Sequence, residues 1–406
     1  MYLKFAWRYF KAKKSAHAIN IIAWVTTTVI AFATCCQVLV LSVFNGFEDL
    51  VKSLYSSFYS DIKIIPDRGK TFIFTDQQLQ QLKSAPFIAG ASRVAEEKAL
   101  LKNGDAQTVV NLKGVEPGYA SMSGVPQKLV NGSFNTGTAD EPAIIVGSGI
   151  QSAVSISLSQ AFSQSILTII SPKKNSTSLD PFESIAEGNV VATGVFSIQQ
   201  DFDNAYAFTH IDFIKQQMGF QQNEFSSVEI KLNPNVNLEE AKIQIQNLLP
   251  KTMRVQTRYE QNSSLYSTMR MEKWAIFAVL TLILIIAAFN MISALTMLVL
   301  EKKKDISILQ SMGTGRGGIL RIFLTEGLLL GVIGTASGIL LAILISVLQM
   351  NFHLIKLQGG SFLIDYFPVK LIPGDFVLVA VAAITISFLA SWFPAKKAAA
   401  QPIDLK

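Results

Sequence analysis

The chain has 406 residues, half of them hydrophobic and only 16% charged, with a net charge of +6. A soluble globular domain carries about 25% charged residues; the deficit here is concentrated in four apolar runs, which excludes a wholly soluble protein. The basic residues crowd at the ends of those runs, the pattern of membrane topology and not of a nucleic-acid-binding face, so no nucleic-acid partner is expected.

The first element, MYLKFAWRYFKAKKS, alternates aromatic residues with cations. Leu3, Trp7 and Phe10 share one helical face, so 1–18 is expected to be an amphipathic helix lying in the inner interface. A bilayer core of about 30 Å needs roughly 20 apolar residues as helix, and 19–45 supplies the first span. It is too long for the apolar part of a signal peptide and no small-residue cleavage site follows, so it is read as a retained span. Cys35 and Cys36 are adjacent inside it and read as small buried hydrophobes. The three histidines, His17, His210 and His353, have no clustered partners, and no metal site is expected.

Residues 46–270 are long enough to fold around one or two cores. Strand-like runs fall at Asp61–Ile65, Thr108–Leu112, Ala143–Val146, Ser165–Ile170, Val190–Phe196 and Ser227–Leu232. Helical patterns fall at Asp76–Lys83, His210–Met218 and Leu238–Leu249. Strands mixed with helices predict an α+β domain. The stretch Ser171–Ser184 is rich in Pro, Ser and Asn and reads as a loop. The string GKT around Lys70 is not a phosphate-binding loop, because Ile64 stands where the first glycine is required.

Span two is 274–300, preceded by an amphipathic stretch, Ser263–Lys273, that reads as its outward extension. Span three is 322–350, joined by the charged loop 301–321. A shorter loop, 351–375, leads to span four, 376–393, and the tail 394–406. Lys4, Arg8, Lys11, Lys13 and Lys14 precede span one; Lys302, Lys303, Lys304, Arg316 and Arg321 lie between spans two and three; Lys396, Lys397 and Lys406 follow span four. The majority of cations therefore puts both termini and 301–321 in the cytoplasm, and 46–270 and 351–375 outside. Arg270 and Lys273 run against this trend. In span three Gly327, Gly331, Gly334 and Gly338 form small-xxx-small pairs and are expected to pack closely against another helix, span four being the candidate. Glu326 is costly if buried in the bilayer and calls for a partner such as Arg321 or the helix-compatible part of the 301–321 loop. The predicted fold class is thus a four-span α-helical membrane protein with a large α+β extracytoplasmic domain.

Several segments resemble one family. SVFNGFE (Ser42–Glu48), NLKGVEP (Asn111–Pro117), FNMISALTMLVLEKKKDISILQSMG (Phe289–Gly313), GILRIFLTEGLLLGVIGTASG (Gly318–Gly338) and SWFPAKKAAAQPIDLK (Ser391–Lys406) occur in the order found in FtsX-like, MacB-type ABC permeases. The resemblance covers nearly the whole chain and is greatest to the lipoprotein-releasing LolC/LolE permeases.

The resemblance implies a MacB-like permease fold and a non-catalytic subunit of the bacterial inner membrane. It implies no cofactor on this chain, ATP and Mg being held by a partner ATPase dimer in the cytoplasm. The coupling contact to that ATPase would be made by Glu301, Lys304, Asp305, Ile308, Leu309, Met312 and Gly313. A second permease copy, identical or paralogous, would complete the transporter. The implied substrate is a lipoprotein drawn from the membrane lipid, with Val40, Phe44, Asn45, Phe277 and Leu280 as candidate cavity lining between spans one and two. By position, a periplasmic lipoprotein carrier would meet the loop at Pro172, Leu179, Pro181 and Phe182. Two alternatives stay open: a MacB-like exporter of peptides or small molecules, and an FtsX-like mechanotransmission subunit that activates a cell-wall hydrolase.

Overall fold

The computed structural model describes residues 17–158, 166–174, 185–357 and 365–402. The amphipathic helix expected over 1–18 falls almost wholly outside these residues, as do Leu179, Pro181 and Phe182. The chain divides into two compact units, Val51–Tyr266 and the remainder on either side of it.

The Val51–Tyr266 unit begins within α1 (His17–Phe58) and continues through β1 (Ile62–Pro66), β2 (Phe72–Ile73), α2 (Asp76–Lys83), β3 (Ile88–Asn103) and β4 (Ala106–Val115). Two short 3-10 turns lead to β5 (Leu129–Gly132), β6 (Ala143–Gly147), α3 (Ser148–Ala153), β7 (Ile166–Pro172), β8 (Ile185–Phe196) and α4 (Gln200–Asp203). Then come β9 (Tyr206–His210), α5 (Ile211–Met218), β10 (Glu224–Phe225), β11 (Ser227–Leu232), α6 (Leu238–Leu248), β12 (Met253–Thr257) and α7 (Arg258–Gln261). Among the described residues, ten strands form one sheet in the order β12-β1-β11-β3-β4-β9-β6-β8-β5, with β7 joined to β3 and β8. β4 runs parallel to β9 and β6 to β8; the other pairs are antiparallel. Helices α2, α5 and α6 bury Leu82, Ile214 and Ile245 against sheet residues such as Ile64, Leu112 and Ile230. The domain is α+β, as its mixed pattern predicts.

Local chemistry sets the helix ends. Thr75 and Gln78 exchange hydrogen bonds in a capping box at the start of α2, and Asn237 caps α6, each supplying partners to end groups that the helix leaves unpaired. Gly219 closes α5 in the left-handed region, φ +68°, where a side chain would be strained.

The membrane unit holds the rest of α1 with α8 (Ser263–Glu301), α9 (Lys303–Ser311), α10 (Arg316–Phe352) and α11 (Pro373–Ala399). Among the described residues, four helices, α1, α8, α10 and α11, are long and apolar enough to cross a membrane. Their shared core includes Ile30 of α1, Met291 and Leu295 of α8, Phe323 and Leu330 of α10 and Ala390 of α11.

The helix ends differ from the expected span limits. α1 does not stop near Asn45 but runs to Phe58, because Val51, Leu54, Tyr55 and Phe58 repeat at helical spacing and pack in one aromatic cluster with Phe202 and Phe208. α8 is unbroken from Ser263, so the amphipathic stretch before span two belongs to the same helix. α11 extends past Phe393 through Pro394 to Ala399.

Candidate functional site in the membrane unit

Between the second and third spans stands α9. It is built from KKDISILQS, which lacks Gly and Pro, and is opened by Asp305, whose carboxylate suits a helix N-terminus and pairs with Lys302 at 3.2 Å. Gly313 at φ +91° ends the turn that follows, a backbone state that glycine alone adopts without strain. One face of α9 is fixed inward: Ile306 and Ser307 are buried, Ile306 in the same core as Ile319, Phe323 and Ala395. Gln310 donates from Nε2 to the Gln401 carbonyl at 3.2 Å. The opposite face carries Lys304, Ile308, Ser311 and Met312, all exposed, with Ile308 at 57% and Met312 at 77%. The expected apolar stripe of Ile308, Leu309 and Met312 therefore splits: Leu309 is half-buried, and the other two project. Glu301 closes α8, and Glu301 and Gly313 are exposed.

At the other end of the spans, one polar cluster joins three helices. Lys273 of α8 donates to Asn45 Oδ1 of α1 at 2.9 Å and to Asp375 Oδ2 of α11 at 3.0 Å. Asn45 Nδ2 donates to the same Asp375 oxygen at 2.6 Å. Asp375 lies in the first turn of α11, where the helix dipole adds to its stability. Lys273, the exception to the charge rule, is thus neutralised by Asp375. Nearby, the Lys370 N–H donates to the Ser42 carbonyl at 2.9 Å, and its ammonium pairs with Asp49. Phe47 meets Phe367 edge-on at 5.9 Å. Gly46 faces Pro368, where an added Cβ would lie 2.3 Å from the carbonyl oxygen. SVFNGFE is thus the segment that holds the residues leading into α11.

The expected cavity residues part ways here. Val40 is 40% exposed, and Phe44 and Leu280 are half-exposed. Phe277 is half-buried against Cys35, Val38 and Leu41 of α1. Asn45, also expected in that lining, is 2% exposed and bonded to Lys273 and Asp375.

The span-three glycines meet three helices, Gly327 also facing Leu295 of α8. Cβ atoms on Gly327 and Gly331 would lie 2.4 Å from the Cβ atoms of Ser391 and Ser387 on α11, whereas Gly334 and Gly338 abut Thr27, Ile30, Ala31 and Thr34 of α1. The expected packing against span four is half the arrangement. Glu326 is buried within α10, and Lys302, just before α9, is a cation in electrostatic reach of it.

In the Val51–Tyr266 unit the motif NLKGVEP supplies a buried ion pair. Lys113 pairs with Glu229 at 2.7 Å and donates to Tyr119 Oη at 2.9 Å, while Tyr119 donates to Glu229 at 2.8 Å. The Lys113 ammonium also lies 5.4 Å from the Phe58 ring centroid and 5.7 Å from that of Phe208. Burial is the largest single influence and disfavours both charges, but the surrounding groups together outweigh it: Glu229, with Glu96, holds the Lys113 ammonium above the ordinary lysine range, and Lys113, with Lys63 and the Tyr119 hydroxyl, holds the Glu229 carboxyl below the usual carboxylate range. Glu116 of the same motif binds the Arg93 guanidinium at 2.8 Å. Pro172 ends β7, exposed and opposite Ile185. Lys174 just beyond it donates to Thr71 Oγ1 at 2.8 Å and pairs with Glu224, a fixed base that no pattern in the sequence announced.

Among the described residues, four apolar helices, a large mixed-sheet unit inserted after the first and a short amphipathic helix between the second and third make the architecture of a multi-pass membrane protein. The chain belongs to the MacB-like family: the MacB-like periplasmic core domain matches residues 23–248, and the FtsX-like permease C-terminal domain matches residues 277–403. It is 28% identical over 422 aligned positions to the lipoprotein-releasing system transmembrane protein LolC of Neisseria meningitidis serogroup B, covering 98% of this chain and 96% of that one. It is 25% identical to the lipoprotein-releasing system transmembrane protein LolE of Haemophilus influenzae, covering 97% and 96%. The periplasmic region of MacB from Actinobacillus actinomycetemcomitans superposes with a TM-score of 0.38 at 12% identity, covering 54% of this chain and 98% of that one.

Proposed function

We propose that this protein is the permease subunit of an ABC transporter that draws lipid-anchored proteins out of the bacterial inner membrane and passes them to a periplasmic carrier. The observation that carries the reading is the near full-length similarity to LolC and LolE proteins of lipoprotein-releasing systems. Both termini and α9 lie in the cytoplasm and Val51–Tyr266 lies outside. A separate ATPase dimer binds the exposed face of α9 through Lys304, Ile308 and Met312, with Glu301, Asp305, Leu309 and Gly313 shaping that surface, and supplies ATP and Mg. An apolar pair on a cationic helix suits a groove on a soluble partner.

A second permease copy faces this one, because four spans cannot by themselves enclose a lipidated protein. Val40, Phe44 and Leu280 are the proposed contacts for acyl chains. The hairpin of β7 and β8 presents Pro172 and the residues after it to the carrier. Nucleotide-driven movement of α9 is delivered through α8, whose 39 residues make about 58 Å of continuous helix.

The test is ATP-driven release. Proteoliposomes holding the permease, its ATPase and a fluorescent lipoprotein in the outer-facing leaflet should transfer the lipoprotein to a soluble acceptor only with ATP. Uptake from the ATPase side of the membrane would refute extraction and favour export.

A further inference from the structure

We infer that α1 and α8 of one chain form a permanently closed seam that moves as one body. The lipid anchor therefore never passes between these two helices of the same chain. This inference rests on the permease reading above and says where the lateral path is not.

Two polar contacts tie the helices in one register. Gln37 donates from Nε2 to Thr281 Oγ1 at 3.0 Å, and Lys273 donates to Asn45 at 2.9 Å. Gln37 to Asn45 is eight residues forward on α1, and Thr281 to Lys273 is eight residues back on α8, so both contacts belong to one antiparallel alignment about 12 Å long. Apolar residues fill the same line. Leu41 clusters with Ile276 and Phe277, and Ala33 with Leu284 and Ala287. Gln37 and Asn45 are almost wholly buried, at 0% and 2% exposure. Separating the helices would turn an amide toward acyl chains, where no water replaces its partner. Asp375 adds a third strand to the fastening by bonding both Asn45 and Lys273. Exposed apolar side chains, Phe32 and Val40 on α1 and Val279 and Ile286 on α8, lie off this line.

The experiment locks the seam in the full chain. In a Cys35→Ala, Cys36→Ala background, Ala33→Cys and Leu284→Cys are joined directly as a disulfide by copper-phenanthroline oxidation. Leu41→Cys with Ile276→Cys serves as a second pair should the first disturb insertion. The protein, with its ATPase, is studied nucleotide-free, with ATP and vanadate-trapped. Cross-linking rates should agree within twofold across the three states; a tenfold fall in any one overturns the seam, whatever the protein transports. In the release assay, locked protein should work within twofold of the same variant before cross-linking. A tenfold loss on locking, with the unlocked variant active, also overturns the seam. Wild-type protein that releases nothing would instead fail the lipoprotein reading and leave the cross-linking rates to decide the seam.

Discussion

At the residue scale the sharpest energetic statement concerns Lys113 and Glu229. Each is buried, and each is tolerable because the other is there. Removing one partner of a buried pair costs about 3–5 kcal/mol, whereas replacing both by apolar residues is often neutral. Lys113→Met should therefore lower the melting temperature of the detergent-purified protein sharply, and Lys113→Met with Glu229→Leu should recover most of the loss. A double variant no better than the single would show that the pair is not the cause. The pair also sets a pH response. The lowered Glu229 carboxyl contributes stability above the ordinary carboxylate range and loses it as pH falls through its depressed value. The raised Lys113 ammonium contributes fully below the ordinary lysine range and loses it only as pH rises through its elevated value. Stability from this pair should be flat across neutral pH in a melting series, and the double variant should lose the acid-side decline. NLKGVEP was visible as a motif, but its lysine gave no hint of its partner more than a hundred residues away.

At the element scale α9 separates folding from coupling. Ile308 and Met312 project, so Ile308→Asp with Met312→Asp should change thermal stability little, as exposed substitutions generally do, within about 0.5 kcal/mol. Co-purification of the ATPase should fall at least tenfold. Ile306→Asp, on the buried face, should instead destabilise the membrane unit; equal effects from both faces would refute the assignment. The span-three glycines give a second division. Gly331→Leu strikes Ser387 on α11, and Gly334→Leu strikes Thr27 and Ile30 on α1. Each should loosen one helix, read as new protease or thiol accessibility at that helix alone.

The periodic elements were legible in the sequence: the four spans, the strands at Ala143–Gly147 and Ser227–Leu232, and α2. β3 was not. Its RVAEEKALLK favours helix locally, yet it is the longest strand among the described residues, because β11, β4 and β7 all bond to it. Tertiary pairing overrides propensity there, and a single sequence carries no record of it. The site was legible in part for the same reason: α9 is local and periodic, whereas Asn45, Lys273 and Asp375 meet only in the fold.

At the scale of the whole molecule, orientation is the first thing to measure. With Cys35 and Cys36 replaced by alanine, Met312→Cys should react with a membrane-impermeant thiol reagent only when the cytoplasmic side is open. Val109→Cys, 61% exposed in the Val51–Tyr266 unit, should react from outside in intact cells. The reverse labelling would invert the topology drawn from the basic residues.

The burial of amides on α1 has a consequence for how the protein is made. The first span enters the bilayer well before its partners exist. Lys273, Thr281, Gly334 and Asp375 all follow the Val51–Tyr266 unit in the chain, whose synthesis takes about 10–40 s at 5–20 residues per second. Throughout that interval Gln37 and Asn45 have none of their eventual partners. A helix so incomplete is a client for the insertion machinery, which must hold it out of bulk lipid until the last span arrives. Assembly of this membrane unit is therefore a late, concerted event, and truncation before Asp375 should leave the first span prone to quality-control proteolysis even though its own sequence is intact.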